Sequence, residues 1–204
     1  MFDNKLKVAG IILCGGKARR LGGADKGAIV IGDKTCFERS RDVLIPHVDQ
    51  LAISIANGAP QDYAKTFTLI PDWPSHVDRP GVAFAILGII SWAKDKGFEA
   101  IITSPVDTPF LPLDYANRLK TAFQQKAPVL CQSVSGQHGL NAIWPVSCAT
   151  ALRELILKQD VLKIQSLHTA LGSEVCDFTS GESDPFLNLN TPEDIKAAVK
   201  RATV

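Results

Sequence analysis

The sequence lacks the cysteine patterns of a metal or disulfide scaffold. Its five cysteines are scattered, odd in number and include no C-x-x-C pair, which argues against a structural zinc site and against a disulfide framework. It also lacks any apolar run near the ~20 residues that a membrane-spanning helix needs. The N-terminus has no signal-peptide layout. These absences predict a cytoplasmic protein with no membrane partner.

A strong charge of one sign is absent as well. The 204 residues carry a formal net charge of +1, so no overall field draws the chain to nucleic acid or to an anionic membrane. Any phosphate binding must therefore come from a local cluster of positive charge. Two common phosphate loops are also missing. No G-x-x-x-x-G-K-[ST] occurs, because Gly27 follows Lys26, and no G-x-G-x-x-G supports a dinucleotide fold.

What the sequence does contain is the alternation of strands and helices typical of an α/β domain. Short, mostly apolar runs predict buried strands, and helical patterns lie between them. The predicted strands are 8–13, 51–56, 68–70, 100–103, 129–134, 142–144 and 186–189. The predicted helices are 37–44, 82–93, 113–123, 148–157 and 163–171, with a last helix that opens at Thr191. The pattern predicts an α/β fold with a mainly parallel sheet, and the length predicts one domain, 1–204.

The loop after the first predicted strand concentrates glycine and positive charge. Residues 13–26 contain four glycines and four basic residues. Open α/β sheets bind ligands at the carboxyl ends of their strands, where this loop lies. Gly15 and Gly16 would let backbone N–H groups approach phosphate oxygens. Arg20 and Lys26 would balance a triphosphate and draw electrons from the phosphorus under attack. The alternative is a flexible, solvated surface loop.

Acids end two later predicted strands. Asp107 lies between Pro105 and Pro109, which restrict the local backbone and so fix the direction of the carboxylate. A rigid carboxylate at a strand end is suited to Mg²⁺. The alternative is that Asp107 forms an Asx turn or caps the next helix. Asp72 and Asn57 also follow predicted strands, and a turn role is the default interpretation of both.

Two asparagines near the C-terminus alternate with apolar residues. On a strand, Asn188 and Asn190 would point to the same face. The alternative is a polar strand edge followed by the helix cap at Thr191. His138 lies in a polar segment, 135–139, and we interpret it as a surface histidine, with a substrate contact as the alternative.

Taken in order, these segments resemble the molybdenum cofactor guanylyltransferases (the molybdopterin-guanine dinucleotide biosynthesis protein A family). These are nucleotidyltransferases with a glycosyltransferase-A-like fold. Residues 13–27 resemble the family's L-A-G-G-x-x-x-R-[RM]-G-G-x-D-K-G, residues 105–109 its P-x-D-x-P, and residues 188–194 its N-x-N-T-P-E-[DE]. The resemblance implies a three-layer, Rossmann-like α/β fold with a mainly parallel, mixed central sheet. It also implies that the N-terminal part of the domain binds nucleotide and the C-terminal part binds the acceptor.

The resemblance further implies an enzyme that transfers GMP from GTP to the terminal phosphate of molybdopterin or molybdenum cofactor, with Mg²⁺ as the cofactor and pyrophosphate as the second product. The implied nucleotide-binding residues are Leu13, Cys14, Gly15, Gly16, Lys26, Asn57, Asp72 and Asp107. Asp107 would also hold Mg²⁺ and would act in catalysis with Arg20 and Lys26. Asn188 and Asn190 would bind the acceptor. The implied partners are GTP, the acceptor and, transiently, cofactor-inserting and acceptor enzymes, without nucleic acid.

One departure from the family pattern leaves other functions open. The family's P-G-P-L-A-G segment reads P-G-V-A-F-A at residues 80–85. Because that segment lies near the base and ribose, a related enzyme that uses CTP or another phosphorylated acceptor is the second hypothesis. A nucleotide-binding regulator without catalysis is the third, and the presence of both Lys26 and Asp107 counts against it. Sugar nucleotidyltransferases of similar fold tend to have aspartate where Asn190 stands, which favours the cofactor enzyme.

Overall fold

The computed structural model describes residues 6–15, 25–55, 66–71, 81–180 and 183–203. Four residues proposed from the sequence lie outside these ranges, namely Gly16, Arg20, Asn57 and Asp72. The strands of the described residues are β1 (Val8–Leu13), β2 (Val30–Ile31), β3 (Lys34–Thr35), β4 (Gln50–Ile55), β5 (Thr68–Pro71), β6 (Ala100–Pro105), β7 (Val129–Ser133), β8 (Gly136–Pro145) and β9 (Glu174–Asp177). The helices are α1 (Cys36–Leu44), α2 (Val82–Asp95), α3 (Tyr115–Ala122), α4 (Ala149–Leu157), α5 (Ile164–Ala170) and α6 (Pro192–Ala202).

Seven of these strands form one sheet in the order β5-β4-β1-β6-β8-β7-β9. The pairs β4–β5, β1–β4, β1–β6 and β7–β9 are parallel, whereas β8 is antiparallel to both of its neighbours. β8 is thus the reversed strand of a mainly parallel sheet. Its N-terminal end therefore lies at the same edge as the carboxyl ends of β1, β4 and β6, where ligands of open α/β sheets bind.

Helices cover both faces of the sheet, which makes the three layers expected from the sequence. Along β1, Val8 and Ile12 pack into one apolar cluster with α1 and α3, while Ala9 and Ile11 pack into a second with α2 and α4. Successive side chains of a strand point to opposite faces, so a strand buried on both faces must be apolar throughout. The predicted fold class is confirmed.

The C-terminal helix packs against the short β2–β3 hairpin. Thr191 accepts from the Asp194 N–H and the Asp194 side chain accepts from the Thr191 N–H, so the predicted cap is a full capping box. Ala198 of α6 and Leu189 before it are buried against Ile31. This packing holds the segment that precedes α6 close to the hairpin and to the end of the N-terminal loop.

The structure differs from the local predictions at residues 135–139 and 186–189, and it contains three strands that were not predicted, β2, β3 and β9. Residues 186–189 form no strand, although they were predicted as one, and the polar segment 135–139 belongs largely to β8. β9 was not predicted, because its alternating residues give only a short, weak period of two. Within the ranges that the structure describes, no helix is long and apolar enough to cross a membrane.

Candidate active site

The carboxyl ends of β1 and β6 are joined directly by backbone hydrogen bonds. The Val106 N–H donates to the Leu13 carbonyl over 3.1 Å, and on the other side of β1 the Cys14 N–H donates to the Ser54 carbonyl over 2.8 Å. The start of the glycine-rich loop therefore lies beside the residues that follow β6. This places Leu13, Cys14 and the exposed Gly15 at the same edge of the sheet as Asp107.

Lys26 lies at the start of a short 3-10 helix, Lys26–Ala28, and its side chain reaches two other segments of the chain. Its Nζ lies 2.7 Å from Asp107 Oδ2 and 2.7 Å from Asn190 Oδ1. The Lys26 and Asp107 side chains are each 19% exposed, so solvent screens this ion pair less than it would a fully exposed one. The Asp25 carboxylate accepts from the Gly27 N–H over 3.0 Å and holds the first turn of the helix.

The backbone around Asp107 and Asn190 is held by contacts that do not involve Lys26. The Leu189 N–H donates to the Asp107 carbonyl over 3.0 Å. The Asn190 N–H donates to Asp194 Oδ2 over 2.9 Å, and this bond is the main reason that the pKa of Asp194 lies below its ordinary value. Burial opposes that shift, and the charge of Lys26 adds to it. The two side chains that contact Lys26 therefore stand on an ordered backbone.

A cavity of about 320 Å³ opens beside these residues. It is lined by Pro105, Asp107, Gln137, His138, Gly139, Leu140, Asn141, Asn188 and Asn190. The register of β7 against β8 shifts at this point: the partner of Leu130 is Ala142, but the partner of Cys131 is His138. Residues 139–141 are therefore extra residues of β8, and an irregularity of this kind redirects side chains next to a site.

His138 is anchored at the rim of the cavity. Its Nε2 lies 2.7 Å from Ser133 Oγ, and Ser135, which donates to the Asp184 carboxylate, lies 3.1 Å from the same Ser133 oxygen. The ring packs against Phe186 at a centroid distance of 4.7 Å. Burial lowers the pKa of His138, and the charge of Asp184 opposes this. The interpretation of His138 as a plain surface histidine is wrong, because the ring is partly buried and held by this network.

A second, buried histidine supports the same segment from behind. The Gly139 carbonyl accepts from His168 Nε2 over 2.8 Å, and the Ser173 hydroxyl then donates to His168 Nδ1 over 2.8 Å. Because a carbonyl only accepts, the neutral ring must carry its proton on Nε2. The Trp144 ring lies 4.3 Å from His168. Burial lowers the pKa of His168, and the bond to Gly139 opposes that shift.

The structure thus gathers part of the predicted site and adds residues to it. Lys26, Asp107 and Asn190 are in direct contact, and Asn188 lines the same cavity. The alternative role of Asp107 as a helix cap is wrong, because α3 begins after Asp114. Sequence reasoning gave His138 only as an alternative substrate contact, and it missed Gln137 and residues 139–141. Their polar character was visible, but nothing local indicated that β8 runs against its neighbours and brings them to this edge.

The donor atoms around Lys26 are suited to a hard cation. Among the residues that the structure describes, no group of three or more His, Cys, Asp or Glu side chains could hold a metal ion. Asp107 Oδ2 and Asn190 Oδ1 nevertheless converge on one cationic nitrogen. Mg²⁺ prefers oxygen ligands and keeps several waters, so two protein oxygens, completed by water and substrate phosphate, fit it.

Comparisons with known proteins show the family of the chain and its fold. A family model described as the MobA-like NTP transferase domain matches residues 10–174. A molybdenum cofactor guanylyltransferase of Mesorhizobium japonicum is 32% identical over 202 residues, which cover 95% of this chain and 95% of that protein. Molybdopterin-guanine dinucleotide biosynthesis protein A of Archaeoglobus fulgidus has a similar fold, with a TM-score of 0.71, 21% identity and coverage of 96% of this chain and 98% of that one. A Mycobacterium tuberculosis protein solved in complex with manganese has a TM-score of 0.65, with 15% identity over 95% of this chain and 98% of that one.

Proposed function

We propose that this chain, which belongs to the MobA-like NTP transferase family, transfers GMP from GTP to the terminal phosphate of molybdopterin or molybdenum cofactor. The family membership agrees with the resemblance seen in the sequence. A nucleotidyltransferase of molybdenum cofactor biosynthesis is the function that the names of the relatives support. The base, the acceptor and the metal ion are the finer parts of the proposal.

The observation that carries the proposal is the meeting of Lys26, Asp107 and Asn190 beside the cavity. A nucleotidyl transfer needs a cation for the triphosphate, an oxygen ligand for a metal ion and room for an acceptor next to both. All three lie at the carboxyl edge of the sheet. Leu13, Cys14 and Gly15 stand at the same edge, so their backbone is suited to hold the nucleotide. Of the remaining proposed residues, Gly16, Arg20, Asn57 and Asp72 lie outside the described residues and stay predictions.

The proposed reaction requires no proton transfer to activate the nucleophile. An oxygen of the acceptor phosphate attacks the α-phosphorus of GTP, a new P–O bond forms, and the bond from that phosphorus to the bridging oxygen breaks as pyrophosphate leaves with the electron pair. The second pKa of a phosphate monoester is ~6, so the nucleophile is already ionised at neutral pH. No general base is required. Catalysis then depends on positioning and on charge stabilisation.

The residues divide these tasks between them. Lys26 would neutralise the triphosphate, and Asp107 would hold Mg²⁺, which supplies positive charge to the phosphates when it is bound. Asn188 and Asn190 would hold the acceptor from one wall of the cavity. His138 faces the same cavity, so its ring is suited to donate a hydrogen bond to the acceptor. The rest of the C-terminal part would form the acceptor side of a single domain.

The segment at residues 80–85, which departs from the family pattern, bears on the choice of base. The Ala83, Phe84 and Ala85 side chains are buried in the core, whereas Val82 is 38% exposed. Three of the four changed side chains in this segment therefore pack under α2, and Val82 is the changed residue that stays partly exposed. The segment by itself therefore gives little support to the hypothesis of a CTP enzyme.

The test is pyrophosphate release with molybdopterin, with and without bound molybdenum, in the presence of Mg²⁺ and each of GTP, CTP, ATP and UTP. We expect release with GTP alone. Asp107→Asn should abolish turnover, and Lys26→Met should weaken both nucleotide binding and rate. The matched controls are Asp42→Asn and Lys34→Met, since Lys34 and Asp42 form an exposed ion pair of 2.8 Å away from the cavity.

The outcomes separate the three hypotheses. Release with CTP in preference to GTP would keep the site and reject the guanylyltransferase. Full activity in Asp107→Asn or Lys26→Met would reject the site assignment. Nucleotide binding without pyrophosphate release, across a panel of phosphorylated acceptors, would favour a regulator without catalysis.

A further inference from the structure

Lys26 occupies the position that a metal ion would need. Its ammonium lies 2.7 Å from both Asp107 Oδ2 and Asn190 Oδ1, the two oxygens that converge at the edge of the cavity. Lys26 also has the role of binding triphosphate in the proposed function. The ammonium group cannot stay between these two oxygens when a metal ion binds to both of them. It also cannot stay there and at the same time neutralise the triphosphate.

We propose that Asp107 and Asn190 form a cation-exchange site, in which the Lys26 ammonium is the resident cation and a divalent metal ion replaces it when nucleotide phosphate accepts the ammonium. Asn190 is then a ligand of the metal through Oδ1, in addition to its place in the wall of the acceptor cavity. The proposal rests on the proposed function only for the identity of the nucleotide.

The charges explain why the exchange needs the nucleotide. A divalent ion that binds to Asp107 without nucleotide must break the ion pair with Lys26 and remain beside a displaced ammonium of like charge. The Lys26 and Asp107 side chains are each 19% exposed, so water only partly screens the repulsion between the metal ion and the ammonium. A triphosphate removes this penalty, because its oxygens accept the ammonium and themselves ligate the metal.

Local structure allows the side chain to move while the site stays intact. Lysine has a flexible four-carbon stem, and the Lys26 backbone is held by its 3-10 helix and by the Asp25 carboxylate. The Asp107 carbonyl accepts from the Leu189 N–H, and the Asn190 N–H donates to the Asp194 carboxylate. The two oxygens should therefore keep their positions when the Lys26 ammonium leaves.

The consequence is a coupling between two ligands. Nucleotide should raise the affinity for metal both by adding phosphate ligands and by removing Lys26, and the second part should vanish when position 26 carries no charge. Free metal should bind the nucleotide-free protein weakly. The site would then take up metal and nucleotide together.

The experiment measures metal binding directly and requires no turnover. Mn²⁺ is titrated into the protein and its free concentration is followed by electron paramagnetic resonance, with and without GTP and in the absence of acceptor. The variants are Lys26→Met, which is nearly isosteric and uncharged, and Lys34→Met, which removes an equal charge from the exposed ion pair with Asp42. Lys26→Met combined with Asp107→Asn tests which oxygen holds the ion. Circular dichroism checks that each variant is folded.

Without GTP, Lys26→Met should bind Mn²⁺ roughly tenfold or more tightly than the unaltered protein, because a like charge has been removed from about 4 Å away. Lys34→Met should stay within about twofold, as expected for an exposed and screened pair. The added Asp107→Asn change should remove the gain, and the increase in Mn²⁺ affinity caused by GTP should be smaller in Lys26→Met than in the unaltered protein.

Equal Mn²⁺ affinity of Lys26→Met and the unaltered protein without GTP would overturn the proposal. So would a gain that persists when Asp107→Asn is added. These results are independent of the proposed function, because a protein that releases no pyrophosphate with any nucleotide can still show the exchange.

Discussion

Gly139 of β8 has no room for a side chain, and this makes Gly139→Ala an informative perturbation. A Cβ at this position would lie 2.6 Å from Ile164 Cγ2 and 3.0 Å from His168 Cδ2. The His168 ring cannot move away freely, because its Nε2 donates to the Gly139 carbonyl and the ring packs against Trp144. The added methyl group must therefore displace either α5 or the β8 segment that lines the cavity.

The expected loss of stability follows from overpacking, which costs about 1–3 kcal/mol in a well-packed interior. In a protein of this size each kcal/mol lowers Tm by roughly 2–4 °C, so Gly139→Ala should lower Tm by about 2–12 °C. Thermal unfolding and urea denaturation measure this. Because Gly139 follows His138, the KM for the acceptor should also rise more than the KM for GTP.

A second glycine provides the control. A Cβ at Gly81 would have no atom within 4 Å, and the residue is extended, with φ −174°. Gly81→Ala should therefore lose no more than about 1 kcal/mol, through weaker capping of α2. When Ile164→Ala is also present, Gly139→Ala should cost at least about 0.5 kcal/mol less stability than it does in the unaltered protein, since the contacting methyl group is gone. The steric argument would be refuted if Gly139→Ala and Gly81→Ala were equally stable. It would also be refuted if Gly139→Ala cost the same stability with and without Ile164→Ala.

Three further predictions concern stability and the acceptor. Because burial lowers the pKa of His168 in the folded protein, the unfolded chain takes up a proton first as the pH falls. The part of the free energy of unfolding that comes from neutral His168 should therefore be complete above about pH 6.5 and should be lost as the pH falls below it. Urea unfolding at pH 7.5 and 5.5 should show this loss in the unaltered protein and less of it in His168→Gln. Thr191→Ala removes the capping hydroxyl of α6 and should cost about 1 kcal/mol in urea denaturation, whereas Thr191→Ser should cost little. His138→Ala should raise the KM for the acceptor by roughly tenfold or more, as for a lost hydrogen bond to a charged group, and an effect confined to GTP binding would contradict its proposed contact with the acceptor.

Local sequence was enough wherever a residue's own neighbours decide its structure. The wholly apolar run of β1 predicted a strand buried on both faces, and Thr191, Pro192 and Asp194 predicted the start of α6. Each signal works over a few residues, through side-chain alternation or a capping bond. The same reasoning predicted a strand at 186–189, and that prediction was wrong. The apolar Leu189 there packs under α6 and does not belong to a sheet.

The sequence by itself therefore determined the fold class and most of the elements, and it indicated the segments of the proposed site. Only the tertiary structure decided how these segments meet. Lys26 contacts residues 81 and 164 positions further along the chain, and no local period encodes such distances. The reversal of β8, which brings His138 to the edge where β6 ends, depends on pairing with two other strands. Strand pairing is a property of the whole sheet, and for that reason the wall of the cavity became visible only in the folded chain.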